Sequence, residues 1–242
     1  MDWTTVQVLA VLFLATFIRS AFGFGEALVA VPLLAFLIPV KAAAPIAVLL
    51  SITIAAVIIA QDWREIHFRS AGRLILSTLF GLPLGLFMLT AVAEEMVKAI
   101  LAVVIIAFSG YSLTSRKQLE LKDDRLAWIF GFGAGILGGA YGMNGPPLVI
   151  YGALRRWQPK HFRATLQGYF LPASLIGMCG YALLALWTPV VTRYYLMSLP
   201  LVLIAIFLGR IANRRMNSRL FLLYVHLGLI VTGILLLVSS QR

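Results

Sequence analysis

The stretch Ala21-Phe22-Gly23-Phe24-Gly25-Glu26 breaks the first long apolar run of the chain. A second stretch, Ala140-Tyr141-Gly142-Met143-Asn144-Gly145, breaks another run about half a chain length further on. A membrane protein that repeats a broken hydrophobic segment in corresponding positions of its two halves commonly builds its binding site there. The paired breaks therefore predict a transporter rather than a membrane anchor.

The composition is that of a membrane protein. Of 242 residues, 61% are hydrophobic and 12% are charged, with a mean hydropathy of +0.96, whereas a soluble domain is about half apolar and a quarter charged. Apolar stretches of about 20 residues, enough to cross the hydrocarbon core as a helix, recur from end to end. The acidic start Met1-Asp2-Trp3 lacks the basic region of a cleaved signal peptide, so the first apolar segment is expected to be retained.

The net charge of +11 is better explained by membrane topology than by nucleic acid, because the basic residues lie in short loops between apolar runs. The positive-inside rule places four such loops in the cytoplasm. Their basic residues are Arg64, Arg69 and Arg73; Arg116, Lys117, Lys122 and Arg125; Arg155, Arg156, Lys160 and Arg163; and Arg210, Arg214, Arg215 and Arg219. Connections poor in Lys and Arg, at 92–95 and 188–193, are expected to face outside.

Counting crossings between these loops predicts single spans and two broken hairpins. The predicted spans are 42–60, 70–91, 96–114, 163–186, 194–211 and 220–238. Basic loops flank the segment 126–154 on both sides, so it must be a hairpin, either two thin spans or a re-entrant pair of half-helices. The segment 5–38 is read as its copy. We therefore predict an all-α polytopic membrane protein with two inverted repeats, 1–118 and 119–242, and with both chain termini external. The inversion fails if either hairpin is one kinked span.

The predicted hairpin tips, 23–26 and 142–145, suggest how an anion could bind. Half-helix N-termini present unpaired N–H groups and the positive end of the helix dipole. Pro146 and Pro147 suit a first helical turn, so Gly145 marks a helix start. The alternative is that these glycines only permit close packing, which is the preferred interpretation for Gly131, Gly135 and Gly139 and for Gly81 and Gly85.

Polar side chains near the tips complete the predicted site. Glu26 lies deep in an apolar run and could couple transport to protons, pair with Arg19 or cap a half-helix. Arg19 could bind a substrate anion, pair with Glu26 or snorkel outward. Asn144, Tyr141 and Gln167 could donate to substrate or bond across helices, and Asn144 could also cap a helix. The predicted substrate-binding residues are Arg19, Gly23, Phe24, Gly25, Glu26, Tyr141, Gly142, Met143, Asn144, Gly145 and Gln167.

The sequence lacks the usual motifs of enzymes and metal sites. His67, His161 and His226 are scattered without metal-ligand spacing, and no P-loop, H-E-x-x-H or G-x-S-x-G motif occurs. Cys179, mid-helix beside glycines, is expected to be a packed small residue. We predict no enzymatic activity, no cofactor and no metal site.

The paired half-patterns resemble the sulfite exporter TauE/SafE family of bacterial inner-membrane anion transporters. The resemblance rests on Phe22-Gly23-Phe24-Gly25 with Pro32-Leu33-Leu34, on Gly135 through Gly139 with Gly142-Met143-Asn144-Gly145-Pro146-Pro147, and on Gly81-Leu82-Pro83-Leu84-Gly85. It implies export of sulfite or organosulfonates such as sulfoacetate, driven by an ion gradient. Glu26 and Asn144 depart from the family's usual third glycine, which leaves the substrate open.

These features predict a secondary transporter that exports a small anion, such as an organosulfonate, sulfite or a related carboxylate, by alternating access around a midplane site. The expected partners are the anion, the lipid bilayer and a coupling ion, H⁺ or Na⁺, without nucleic acid; a homo-oligomer is left open. One alternative is an anion channel with the same tips. Another is a membrane assembly protein without transport, and a metal transporter is disfavoured.

Overall fold

A computed structural model describes residues 2–62, 68–114, 121, 124–215 and 218–239. Within these ranges the chain forms ten α-helices and no strand, which confirms the predicted all-α class. In chain order the helices are α1 (Trp3–Phe22), α2 (Glu26–Leu34), α3 (Val40–Asp62), α4 (Phe68–Ala91), α5 (Glu94–Thr114), α6 (Ala127–Tyr141), α7 (Gly145–Leu154), α8 (Pro159–Leu183), α9 (Pro189–Arg215) and α10 (Ser218–Ser239).

Five of the described helices are long and apolar enough to cross a membrane, by length and composition. These stretches are Trp3–Phe22, Val40–Ala60, Ser70–Ala91, Glu94–Thr114 and Pro189–Ala212. Helix α8 is less apolar because Gln167, Ser174 and several tyrosines and glycines lie along it. The shorter apolar helices are Ala127–Tyr141, Gly145–Leu154 and Leu229–Val238.

Each predicted broken segment consists of two helices joined at glycines. Gly23 and Gly25, between α1 and α2, have φ of +87° and +102°, and Gly142, after α6, has φ of +65°. These left-handed angles are accessible to glycine without the steric penalty of a side chain. The second pair folds back on itself, since Gly138 lies against Asn144 and Gly133 against Pro147.

The second limb of each hairpin is short. Helix α2 has 9 residues and α7 has 10, so each rises about 14–15 Å, roughly half the thickness of the hydrocarbon core. These lengths favour re-entrant limbs over complete second spans.

Helices α4 and α6 pack with their backbones in contact. A Cβ atom at Gly81 or Gly85 would lie 2.1 Å from a carbonyl oxygen of α6, and one at Gly135 would lie 2.5 Å from the Thr78 carbonyl oxygen of α4. The prediction that these glycines serve close packing is therefore confirmed. Both helices run in the same direction, because Gly131 lies opposite Leu74 and the later Gly139 lies opposite the later Leu82.

The other helix pairs follow a reciprocal pattern. Helix α1 packs along α9, as α6 packs along α4, while α3 packs against α8 and α5 against α10. Helices α5 and α10 run in opposite directions, because Ser109 bonds His226 whereas the earlier Ile106 contacts the later Gly233. Two repeats related by a twofold axis in the membrane plane would produce this pattern. The division into repeats at 118 stays a prediction.

Asp124, in the turn before α6, ties the start of α4 to the end of α7. Its carboxylate lies 3.5 Å from Arg73 Nη1 and 3.3 Å from Arg155 Nη2, and it accepts hydrogen bonds from Ser70 at 3.2 Å and Tyr151 at 2.7 Å. Desolvation raises the pKa of Asp124, but the hydrogen bonds and the two cations together outweigh it, so the pKa is lowered. In the first half of the chain, Asp2 precedes α1, and its pKa is lowered mainly by the Thr5 hydroxyl and slightly by Arg193 of α9.

The prediction for Cys179 is wrong. It is exposed rather than packed, because Gly177 and Gly180 on the same helix face Leu82 and Leu86 of α4. The predicted span 163–186 begins at Arg163, whereas α8 begins four residues earlier at Pro159 and has Arg163 in its first turns.

Several residues used for the topology prediction lie outside the described part of the chain. They are Arg64, His67, Arg116, Lys117, Lys122, the side chains of Arg69, Lys160, Arg214, Arg215 and Arg219, and residues 240–242.

Candidate functional site

The two glycine turns meet at one small cavity. Its volume of about 10 Å³ is room for about one water molecule. A sulfite or sulfonate is larger, so the surrounding helices must move apart to admit one. The cavity is lined by Phe24, Gly25, Glu26, Ala27, Leu28, Ser51, Gly142, Met143, Asn144, Gly145, Pro146 and Phe170.

Most lining residues form matched pairs, one from each half of the chain. The same number of positions separates the members of each pair: Phe24 and Met143, Gly25 and Asn144, Glu26 and Gly145, Ala27 and Pro146, and Ser51 and Phe170. The last pair lies near the middle of two long helices, α3 and α8. The cavity therefore lies where corresponding elements of the two halves converge.

The surroundings of the two turns match with the same spacing. A Cβ atom at Gly23 would lie 3.0 Å from the Arg163 side chain, and one at Gly142 would lie 3.0 Å from the Ala44 carbonyl oxygen. One helical turn further, Gln167 donates to the Gly23 carbonyl at 2.7 Å. Its counterpart Val48 packs on Gly142. Polar residues thus flank the first turn where small or apolar residues flank the second.

Arg19 is fully buried directly behind the first tip. Its Nη1 donates to the Glu26 carboxylate and, at 2.8 Å, to Ser51 Oγ, while its Nη2 donates to Gln167 Oε1 at 2.6 Å. The guanidinium carbon lies 4.7 Å from the centroid of the Phe170 ring, in cation–π range. Of the predicted alternatives, the structure has the Arg19–Glu26 ion pair and not a snorkelling arginine.

The second tip is neutral and is organised around Asn144. This side chain makes no capping bond to α7, and its Nδ2 lies 3.4 Å from the Tyr169 hydroxyl, which bonds Thr78 at 2.5 Å. It fills the space that a side chain at Gly138 would occupy, because a Cβ atom there would lie 2.5 Å from its Oδ1. Gly138 is the counterpart of Arg19 in the matched spacing. The Asn144 amide thus lies where a side chain at position 138 would begin.

The tips also differ in their backbone donors. N–H groups in the first turn of a helix have no acceptor within the helix. In α2 these groups belong to Glu26, Ala27 and Leu28, all of which line the cavity. In α7 the corresponding positions include Pro146 and Pro147, which have no N–H. Proline in the first turn does not weaken the helix, as the sequence predicted. However, α7 presents two fewer backbone N–H donors to the cavity than α2 does.

The structure brings most of the predicted residues to the cavity. Gly23 lies just behind it, with Arg19 and Gln167. Tyr141 lies elsewhere: it is buried and donates to the Val97 carbonyl of α5 at 2.8 Å. The predicted substrate-binding residues did not include Phe170 or Ser51, both of which line the cavity. Phe170 lies on one face of α8 with Gln167 and Ser174, and Ser174 donates a hydrogen bond to Ser51 at 3.0 Å. The helical spacing of these three residues was the signal in the sequence that could have identified this face of α8.

Long apolar helices, paired broken hairpins and a shared polar cavity define a multi-pass α-helical membrane protein with a site between its two halves. The family model described as sulfite exporter TauE/SafE matches residues 8–236 of the chain. The chain therefore belongs to this family of membrane anion transporters, which confirms the predicted resemblance. No curated protein and no solved structure matches the chain.

Proposed function

We propose that this protein is a secondary transporter that exports a small anion, such as sulfite, an organosulfonate or a related carboxylate, across the bacterial inner membrane. The observation that carries the proposal is the meeting of two glycine-broken hairpins at one cavity in a member of this family. Both half-helices direct their N-terminal ends at the same small volume, where a negative charge is favoured.

The proposed anion site uses different donors on its two sides. On the first side, the N–H groups of Glu26, Ala27 and Leu28 bind substrate oxygens. On the second side, the Gly145 N–H and the Asn144 amide do so, and the amide compensates for the donors that proline removes. Arg19 and Gln167 lie behind the first tip and supply positive charge and rigidity. Glu26 is the coupling residue.

Alternating access follows from the reciprocal packing. Helices α4 and α6 are in backbone contact, so the second hairpin moves with a helix of the first half, and α1 with α9 forms the corresponding unit. Movement of these units about the cavity opens it first to one side and then to the other. The antiparallel α5–α10 pair supports inverted repeats at 1–118 and 119–242, with external termini and a site near the membrane midplane.

Transport by purified protein in liposomes tests this proposal. We expect saturable uptake of sulfite or a monosulfonate, accelerated by unlabelled anion on the opposite side, and no such uptake in protein-free liposomes. Flux that neither saturates nor shows counterflow would favour the channel. A panel of sulfonates, sulfite and carboxylates without any flux would favour an assembly protein.

A further inference from the structure

The cavity and the buried ion pair share a wall. Glu26 and Ser51 both accept hydrogen bonds from Arg19, and both line the cavity. Arg19 itself lies behind them. An anion that enters the cavity therefore meets the Glu26 carboxylate before it meets the guanidinium. The negative charge of the substrate and that of the Glu26 carboxylate repel each other strongly there, because the site is shielded from water.

Resting on the proposed function, we propose that Glu26 binds one proton together with one singly charged substrate anion, and that Arg19 then becomes the counter-charge of the anion. The proton comes from water on the side to which the cavity is open. Protonation changes the net charge of the Arg19–Glu26 pair from zero to one positive charge, which the anion balances. On the other side both leave, and the ion pair forms again. No covalent bond to the substrate is made.

Arg19 has the donors that this exchange requires. A guanidinium carries five N–H groups, and the Nε of Arg19 is buried without a hydrogen-bond partner among the described residues. Protonation of Glu26 weakens the charge-assisted bond from Nη1, whose two partners, Glu26 and Ser51, both line the cavity. A sulfonate oxygen can then accept from the same group.

The same contacts argue against a sodium ion at this site. Arg19 already binds oxygen atoms of Glu26, Ser51 and Gln167, the ligands that a hard cation would need. Its positive charge also repels a second cation at the same position. A proton, by contrast, needs only one oxygen of the Glu26 carboxylate.

Among the described side chains of the helices packed against α2, the other charged or titratable groups make contacts away from Glu26. Arg163 of α8 flanks Gly23. At the ends of their helices, Lys41 donates to the Thr90 carbonyl, Glu94 pairs with Lys98, Tyr151 bonds Asp124, and His226 bonds Ser109. Glu26 is therefore the carboxylate that faces the cavity in the described part of the chain.

The test uses methanesulfonate in liposomes that contain the full-length protein, without sodium. This sulfonate keeps one negative charge throughout the physiological pH range, so any effect of pH reports on the protein. With one proton for each anion, a pH difference of one unit drives accumulation toward about tenfold on the alkaline side. Export from an alkaline cytoplasm therefore requires an outward anion gradient larger than this ratio. Because the pair of charges is neutral, a potassium–valinomycin membrane potential leaves this ratio unchanged.

Variants assign the effect to Glu26. Glu26→Gln should abolish accumulation driven by pH and make any remaining exchange independent of pH. The control Glu95→Gln removes an exposed carboxylate at the start of α5 and should retain the drive. If Glu26→Gln does not fold, the accumulation ratio of the wild-type protein still decides the stoichiometry.

The outcomes separate this inference from the proposed function. Counterflow in the wild-type protein without pH-driven accumulation would overturn the proton coupling but not the proposed transport, as would a pH drive that survives in Glu26→Gln. Absence of exchange for every anion tested would overturn both.

Discussion

The first tip of the cavity is charged and the second is neutral, although the two are built alike. Both follow a left-handed glycine, both begin a short helix, and both contact the corresponding turn of a long helix. In the first, Arg19 and Glu26 form a buried ion pair. In the second, glycines occupy the two corresponding positions, and Asn144 lies where a side chain at Gly138 would begin.

This difference suggests that the two structurally similar halves contribute different functions to the site. A buried ion pair adds little net stability because desolvation offsets attraction, so its place beside a cavity points to function. The neutral tip offers directional donors without a charge that titrates. Coupling would then belong to the first half, whereas both halves would contribute hydrogen-bond donors to the substrate.

The largest expected effect comes from breaking the charged tip. Arg19→Leu leaves Glu26 as an unpaired buried carboxylate and should lower the free energy of unfolding by about 3–5 kcal/mol. The double variant Arg19→Leu/Glu26→Leu should recover most of this loss, because no buried charge remains. Denaturant unfolding in detergent measures both. Equal instability of the single and double variants would contradict the charge argument.

A smaller effect is expected at the turn of the neutral tip. Gly142→Ala should cost about 2 kcal/mol, because a residue with a side chain is strained at positive φ and its Cβ atom would lie 2.9 Å from Val48. Gly145→Ala is the matched control, since no atom lies within 4 Å of the added Cβ. Thermal unfolding compares them, and similar melting temperatures would refute the strain at Gly142.

Asn144→Ala tests recognition at the neutral tip. Loss of one hydrogen bond to a charged ligand should weaken methanesulfonate binding about tenfold or more. Folding should be nearly intact because, within the described part of the chain, the amide makes one long hydrogen bond, to Tyr169. Gln7→Ala removes an amide in the first turns of α1, away from the cavity, and should keep the affinity. Titration calorimetry measures both, and unchanged affinity would remove Asn144 from the site.

The smallest effect concerns the outer ends of the two hairpins. Asp124→Asn should destabilise the protein by about 1 kcal/mol at neutral pH. A carboxylate whose pKa is lowered by folding stabilises above its ordinary pKa of 3.8 and loses that contribution as pH falls through the folded value. The difference between wild type and variant should therefore shrink below about pH 4. Asp2→Asn, at the more exposed end, should leave the melting temperature unchanged. A larger change in melting temperature for Asp2→Asn than for Asp124→Asn would contradict this prediction.

Much of the fold could be predicted because its signals are local. Apolar runs of sufficient length predict helices in a membrane, and glycines at Gly23, Gly25 and Gly142 mark the breaks. Pro146 and Pro147 locate the start of α7. The spacing of Gly131, Gly135 and Gly139 predicted a close helix contact, although not that α4 would be the partner.

The site was less predictable, because it depends on which faces of the helices pack together. Tyr141 is next to Gly142 in sequence, yet the direction of its side chain along α6 carries it to Val97 of α5. Ser51 and Phe170 reach the cavity only because α3 and α8 cross beside the tips.

By itself, the sequence determined a polytopic helical membrane protein of the TauE/SafE family with two glycine-broken hairpins, because hydrophobic length, turn chemistry and family motifs are written along the chain. Only the tertiary structure decided that Arg19 would bind Glu26, Ser51 and Gln167 at once, since these partners come from three different helices. Burial is the physical reason, because a guanidinium removed from water is costly unless oxygen atoms of the surrounding helices accept its hydrogen bonds.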